Sequence, residues 1–152
     1  MSLALPNLAA RLAKCRGVLV DSNVLLDVAT NDPIWGDWSV SAIAECADQS
    51  TLFINPIIYA EVSVGFTKIE ALDGALPTSS YAREPLPWAA GYLAGKCFLS
   101  YRRRGGMRNS PLPDFYIGAH AAIEKLALLT RDVARYRTYF RELEILSPPR
   151  GS

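Results

Sequence analysis

The chain is short of the residues that would staple it or tie it to a membrane. Among 152 residues there are three cysteines and one histidine. Cys15, Cys46 and Cys97 are widely spread and form no C-x-x-C pair, and His120 alone cannot complete a zinc site with them. That excludes a disulfide scaffold and implies reduced, buried thiols in a reducing compartment. Neither sign of charge is in excess. Sixteen Lys and Arg face fifteen Asp and Glu, for a formal charge of +1, which excludes a uniformly basic coat or an acidic tail. No apolar run approaches the ~20 residues of a membrane helix. The opening MSLALPNLAARLAKCR lacks the apolar core of a signal peptide. A cytoplasmic protein with no membrane association is expected. What is present is ordinary for a globular fold: half the residues are hydrophobic and a fifth charged. No repeat or dividing linker interrupts them, so residues 1–152 are expected to form one domain, with 1–16 an N-terminal helical extension.

Short apolar runs alternate with helical patterns. Leu8, Leu12 and Cys15 predict a helix over 4–15. GVLV (17–20), TLFI (51–54), LALLT (126–130) and LEIL (143–146) read as buried strands. Helices are expected after residue 21, capped by Ser22 or Asn23, and over 39–48. Two more are expected from Pro56 to the Asp73–Gly74 pair and over 88–104, the latter stopped by Gly105 and Gly106. Another begins at Pro113. Residues 76–87 and 107–112 read as loops, and 131–140 as a short helix or irregular turn. Buried strands separated by helices predict an α/β three-layer sandwich around a central parallel sheet, in which function collects beyond the strands' carboxyl ends.

Acids stand at those ends. Asp21 follows VLV, Asp132 follows LALLT after Arg131, Asp114 is the second residue of its helix, and Glu61 lies within two turns of strand TLFI. Singly, each reads as a cap or a partner of a helix dipole. Four carboxylates from remote segments, with only Arg131 among them as a cation, repel one another unless a hard cation such as Mg²⁺ or Mn²⁺ joins them. Such an ion can activate water for attack on a phosphodiester.

VLVDSNVLLD (18–27), INPIIYAEV (54–62) and SPLPDFYIGAHAAIEKLALLTRDVARY (110–136) resemble PIN domains, specifically the VapC-type toxin nucleases of toxin–antitoxin pairs. The resemblance extends over 18–146. It implies a PIN-like fold and a Mg²⁺- or Mn²⁺-dependent endoribonuclease with Asp21, Glu61, Asp114 and Asp132 as its acidic quartet. By the same resemblance Asp21 and Asp114 bind the metal directly, Asp132 directly or through water, and Glu61 holds water on it. Ser22, Asn23 and Thr130 match positions that hydrogen-bond these carboxylates. Asp27 matches a common family position, open to a structural or a catalytic role. The resemblance also implies a homodimer and a small antitoxin that blocks the crevice. The chain departs from the family in its long N-terminal segment, and in Gly118 and His120 where alanine is usual. His120 is expected to pack or to lie on the surface, facing away from Asp114.

Lys96, Arg102, Arg103, Arg104 and Arg108 form a basic stretch without an acid, ending shortly before Asp114. With Arg131 these arginines are the expected RNA contacts, and Tyr101, Tyr116 and Tyr136 are candidates to stack on bases. A helix end that favours cations explains the arginines equally well. The helix from residue 56 is apolar on most of its circumference, which predicts deep burial or an interface. Two other classes remain: a non-catalytic PIN-like module binding RNA or protein, and an aspartyl-nucleophile phosphatase. The second wants an acid two residues after Asp21, where Asn23 stands. Asp114→Asn is expected to leave the metal-free fold as stable or more so, because a repelling charge is removed.

Overall fold

A computed structural model describes residues 3–109 and 112–149. Residues 1–2 and 150–152 of the expected domain, and 110–111 of the expected 107–112 loop, lie outside the described residues. Among the described residues five strands form one sheet in the order β3-β2-β1-β4-β5, every neighbouring pair parallel. They are β1 (Gly17–Val20), β2 (Leu52–Ile54), β3 (Ala82–Arg83), β4 (Leu126–Leu129) and β5 (Ile145–Leu146). Burial of β1, β2 and β4 at every residue explains why they are continuous apolar runs rather than alternating ones. Helices between the strands flank the sheet, which is the expected α/β architecture.

The order of strands reverses at β1. From it the chain steps outward to β2 and β3, then returns to β4 on the other side. The crevice between the carboxyl ends of β1 and β4 is therefore the topological switch point, where open parallel sheets hold their ligands. Asp21 and Thr130 are the first residues beyond those two strands.

The helices are α1 (Leu8–Leu12), α2 (Ser22–Ala29), α3 (Gly36–Gln49), α4 (Pro56–Ser63), α5 (Ile69–Ala75), α6 (Trp88–Arg103), α7 (Pro113–Ile123) and α8 (Val133–Tyr139). Several depart from expectation for local reasons. α1 is shorter than 4–15. α3 starts earlier than residue 39, because Asp32 Oδ1 accepts from the N–H groups of Ile34 and Trp35 and turns the chain into it. The helix expected from Pro56 to residue 72 is two. α4 closes with tightened bonds from Gly65 to Val62 and from Phe66 to Ser63, at a glycine preceded by the β-branched Val64. The expected burial of that stretch is correct only in part: Ile58 and Val62 are buried, but Val64 and Ile69 are exposed. β3 lies within the stretch read as loop. It is two residues long, too short to carry a periodicity, and exists by pairing with Phe53 and Ile54. Residues 133–139 are regular helix. Gly118 is required by packing, since a Cβ there would run into the Phe140 ring.

Candidate functional site

Asp21 caps α2 itself, in place of Ser22 or Asn23. Its backbone is extended and its Oδ1 accepts from the Ser22 N–H at 2.7 Å. The side chain is only 2 % exposed. Its Oδ2 accepts from the Thr130 hydroxyl at 2.8 Å and from the Tyr136 hydroxyl at 2.9 Å, with Asn23 Nδ2 at 3.4 Å. Among the described residues no cation is within ion-pair distance of it. Burial pushes its carboxyl above the usual range, the Thr130 and Tyr136 hydroxyls pull it back, and neighbouring Asp114 raises it further.

The other acids are arranged around it by hydroxyls. Tyr136 Oη donates to Asp21 and lies 3.3 Å from Asp114 Oδ1, so one phenol spans both carboxylates. Ser22 Oγ donates to Glu61 Oε1 at 2.9 Å and lies 3.4 Å from Asp21 Oδ1. Burial raises the Glu61 carboxyl, Ser22 opposes the shift, and Asp21 and Asp114 add to it. The Tyr136 phenol, buried against two carboxylates, is held far above its ordinary titration range. Asp114, at the second position of α7, also accepts from Arg135 at 2.8 Å. Asp132 stands apart: it is exposed at the start of α8, and its backbone N–H, rather than its carboxylate, binds Thr130 Oγ1 at 3.1 Å.

Three of the four acids are thus gathered at the switch point and the fourth lies at its rim. Among the described residues no three acidic, histidine or cysteine side chains converge into a ready-made metal cage. Mg²⁺ does not need one. It binds through one or two carboxylates, keeps several waters and takes phosphate oxygens from its substrate. Asp21 and Asp114, bridged by one hydroxyl, are oxygen donors that fit such an ion.

Ser22, Asn23 and Thr130 all make contacts with the quartet. Asn23 also bonds Thr130 Oγ1 at 3.1 Å and accepts from the Arg131 N–H at 3.1 Å, locking the β1 and β4 ends together. Tyr136 and Arg135 are the members that the sequence reading did not assign to the site. The regular helix that starts after Asp132 brings both back over the crevice, and the sequence of 131–140 is equally compatible with an irregular turn.

The expected RNA contacts scatter. Arg103 and Arg108 are exposed. Arg102 closes its own loop, donating to the Arg108 carbonyl at 2.6 Å, and Arg104 stacks on Tyr139. Arg131 grips Asp27 with two bonds, at 2.6 and 2.9 Å, and lies over Trp35. Asp27, 4 % exposed, also accepts from Ser39 at 2.7 Å, so it joins α2, α3 and the β4 end outside the crevice. Of the tyrosines, Tyr136 is buried, and Tyr101 and Tyr116 are half-buried against the core. His120 is fully buried and makes no bond to the quartet. Asn55 Oδ1 accepts from the Ile58 N–H, so its Nδ2 faces His120 Nδ1 at 2.9 Å, and the ring donates from Nε2 to Glu84 at 3.2 Å.

Comparison with known proteins places this geometry. The PIN domain matches residues 18–141. None of the curated proteins matches. Among solved structures, VapBC2 of Rickettsia felis bound to a DNA fragment from its promoter is similar at TM-score 0.68 and 18% identity, over 87% of this chain and 98% of that one. VapBC-1 of nontypeable Haemophilus influenzae gives TM-score 0.65 at 21% identity, over 86% and 96%. A toxin–antitoxin complex from Klebsiella pneumoniae gives 0.65 at 19%, over 88% and 98%. At these identities the structures share a fold, whereas the family match spans most of the sequence, and the chain belongs to the PIN domain family.

Proposed function

We propose that this chain is a divalent-cation-dependent endoribonuclease and the toxin of a toxin–antitoxin pair. The observation that carries the reading is the pair of carboxylates, Asp21 and Asp114, bridged by the Tyr136 hydroxyl at the switch point of the sheet. Asp21 and Asp114 would hold Mg²⁺ or Mn²⁺, with Asp132 adding negative charge at the rim. Bound there, the cation supplies Lewis acidity toward a phosphodiester and makes a neighbouring water more acidic. Ser22 and Thr130 keep the carboxylates in position. Glu61, half-buried and with its carboxyl raised, orients the attacking water and takes up its proton. Arg103 and Arg108, exposed close to α7 in sequence, hold flanking phosphates. The partners that go with this reading are a second copy of the chain and a small antitoxin protein covering the crevice. No described helix is long and apolar enough to cross a membrane.

A second reading, a PIN-like module that binds RNA without turnover, is favoured by one observation: Asp132 is exposed and the acids form no closed cage. Incubating the pure protein with defined single-stranded and transfer RNA fragments, in Mn²⁺ or in chelator, separates the two. The nuclease reading expects cleavage in Mn²⁺, none in chelator, and none by Asp114→Asn in either. RNA bound but uncut under all conditions would establish the module instead.

A further inference from the structure

The acid cluster contains one cation of its own. Arg135, on the first turn of α8, donates from a terminal guanidinium nitrogen to Asp114 Oδ2 at 2.8 Å. Among the described residues no other Lys or Arg forms an ion pair with Asp21, Glu61, Asp114 or Asp132. The arginine side chain is 47 % exposed and the aspartate 19 %, so the guanidinium reaches in from solvent and its route out is open. Its neighbour Tyr136 is fully buried and occupies the other Asp114 oxygen. Asp114 is therefore held by two successive residues of one helix, one neutral and fixed, the other charged and free to swing.

We propose that Arg135 is an internal counter-ion of the crevice, occupying Asp114 in competition with the divalent cation. This rests on the metal reading above and adds to it a residue that sets how readily the ion is taken up. A guanidinium stays charged at every pH a protein experiences, so without a bound ion it always balances part of the acidic charge. Taking up a divalent cation through Asp114 means breaking this ion pair and returning Arg135 to solvent. The long side chain and its exposure make that displacement cheap. Tyr136 is not displaced with it, since its hydroxyl is also bound to Asp21.

The test is calorimetric titration of the full-length chain with MnCl₂ in the absence of RNA. It compares wild type with Arg135→Gln, Arg135→Lys and Arg137→Gln. The last removes the same charge from the same helix at an exposed residue with no ion pair among those described. Arg135→Gln should bind Mn²⁺ about threefold to fivefold more tightly, the upper part of the range expected of a partly exposed pair. Arg135→Lys should fall between it and wild type, and Arg137→Gln should shift affinity less than about twofold, as long-range charge does under salt screening. Melting in chelator is the second readout: Arg135→Gln should melt below wild type yet gain more on adding Mn²⁺. Unchanged or weaker Mn²⁺ binding by Arg135→Gln and Arg135→Lys, with wild type still binding, overturns the counter-ion role and leaves the metal site standing. Absence of binding by every variant at millimolar Mn²⁺ removes the metal reading itself, and this inference with it.

Discussion

Two buried aspartates on the same helix and its cap show how differently one side chain can be used. Asp27 meets a bidentate guanidinium and a hydroxyl, so its charge is neutralised and its oxygens are filled. Asp21, six residues earlier and equally buried, meets only neutral donors, and its charged neighbours are acids. Neutral hydrogen bonds orient a carboxylate but do not cancel its charge. Asp27 is thus a joint of the fold, while Asp21 holds an electrostatic debt that a cation would settle. Of the two roles open to Asp27, its filled oxygens support the structural one.

The comparison can be broken most strongly at its compensated end. Asp27→Ala leaves Arg131 half-buried without a partner and Ser39 without an acceptor, and should cost about 3 kcal/mol of stability in urea denaturation. A loss below that of Tyr136→Phe would show that the pair is not the joint described here. Tyr136→Phe removes the one donor shared by Asp21 and Asp114 and should cost about 1.5 kcal/mol. It should also raise the Asp21 carboxyl further, because a bond favouring its charged form is gone; carboxyl carbon NMR reads that shift, and a downward one would contradict it. The gentlest test is pH. Asp21 and Glu61 bind protons more tightly in the folded chain than in the unfolded one. Their contribution to stability is complete below the ordinary carboxylate range and lost as pH rises through their raised values. Melting in chelator should therefore be higher at mildly acidic than at neutral pH, with a flatter dependence for Glu61→Gln. Equal slopes in the two proteins would remove Glu61 from the account.

Arg135 also bears on the expectation about Asp114. Replacing this residue with Asn relieves repulsion toward Asp21, but it breaks the pair with Arg135 as well. The two changes oppose each other, so the stability of the metal-free Asp114→Asn fold, read by melting in chelator, measures the difference between them.

Asp21 and the β4 end were legible as neighbours because parallel strands bring their carboxyl ends to one edge. The acids' hydroxyl partners Ser22 and Thr130 were legible through the resemblance to PIN domains, whose carboxylate-bonding positions they match. Tyr136 and Arg135 were not, because their roles depend on the pitch and direction of α8, and a seven-residue segment has too weak a periodicity to reveal either. The partners of the arginines were not legible. Those expected at RNA took separate ones, a backbone carbonyl for Arg102, a tyrosine ring for Arg104 and a carboxylate for Arg131. β3 was hidden because two residues owe their strand geometry wholly to a neighbour.

By itself, then, the order of apolar runs and helical patterns determined a parallel sheet with acids along one rim, since local periodicity and strand polarity are properties of the chain. Which acid is balanced and which is not was decided only in three dimensions. Charge compensation depends on contacts between residues as remote as Asp27 and Arg131, or Asp114 and Arg135, and the Coulomb interaction is set by distance in space, not along the chain.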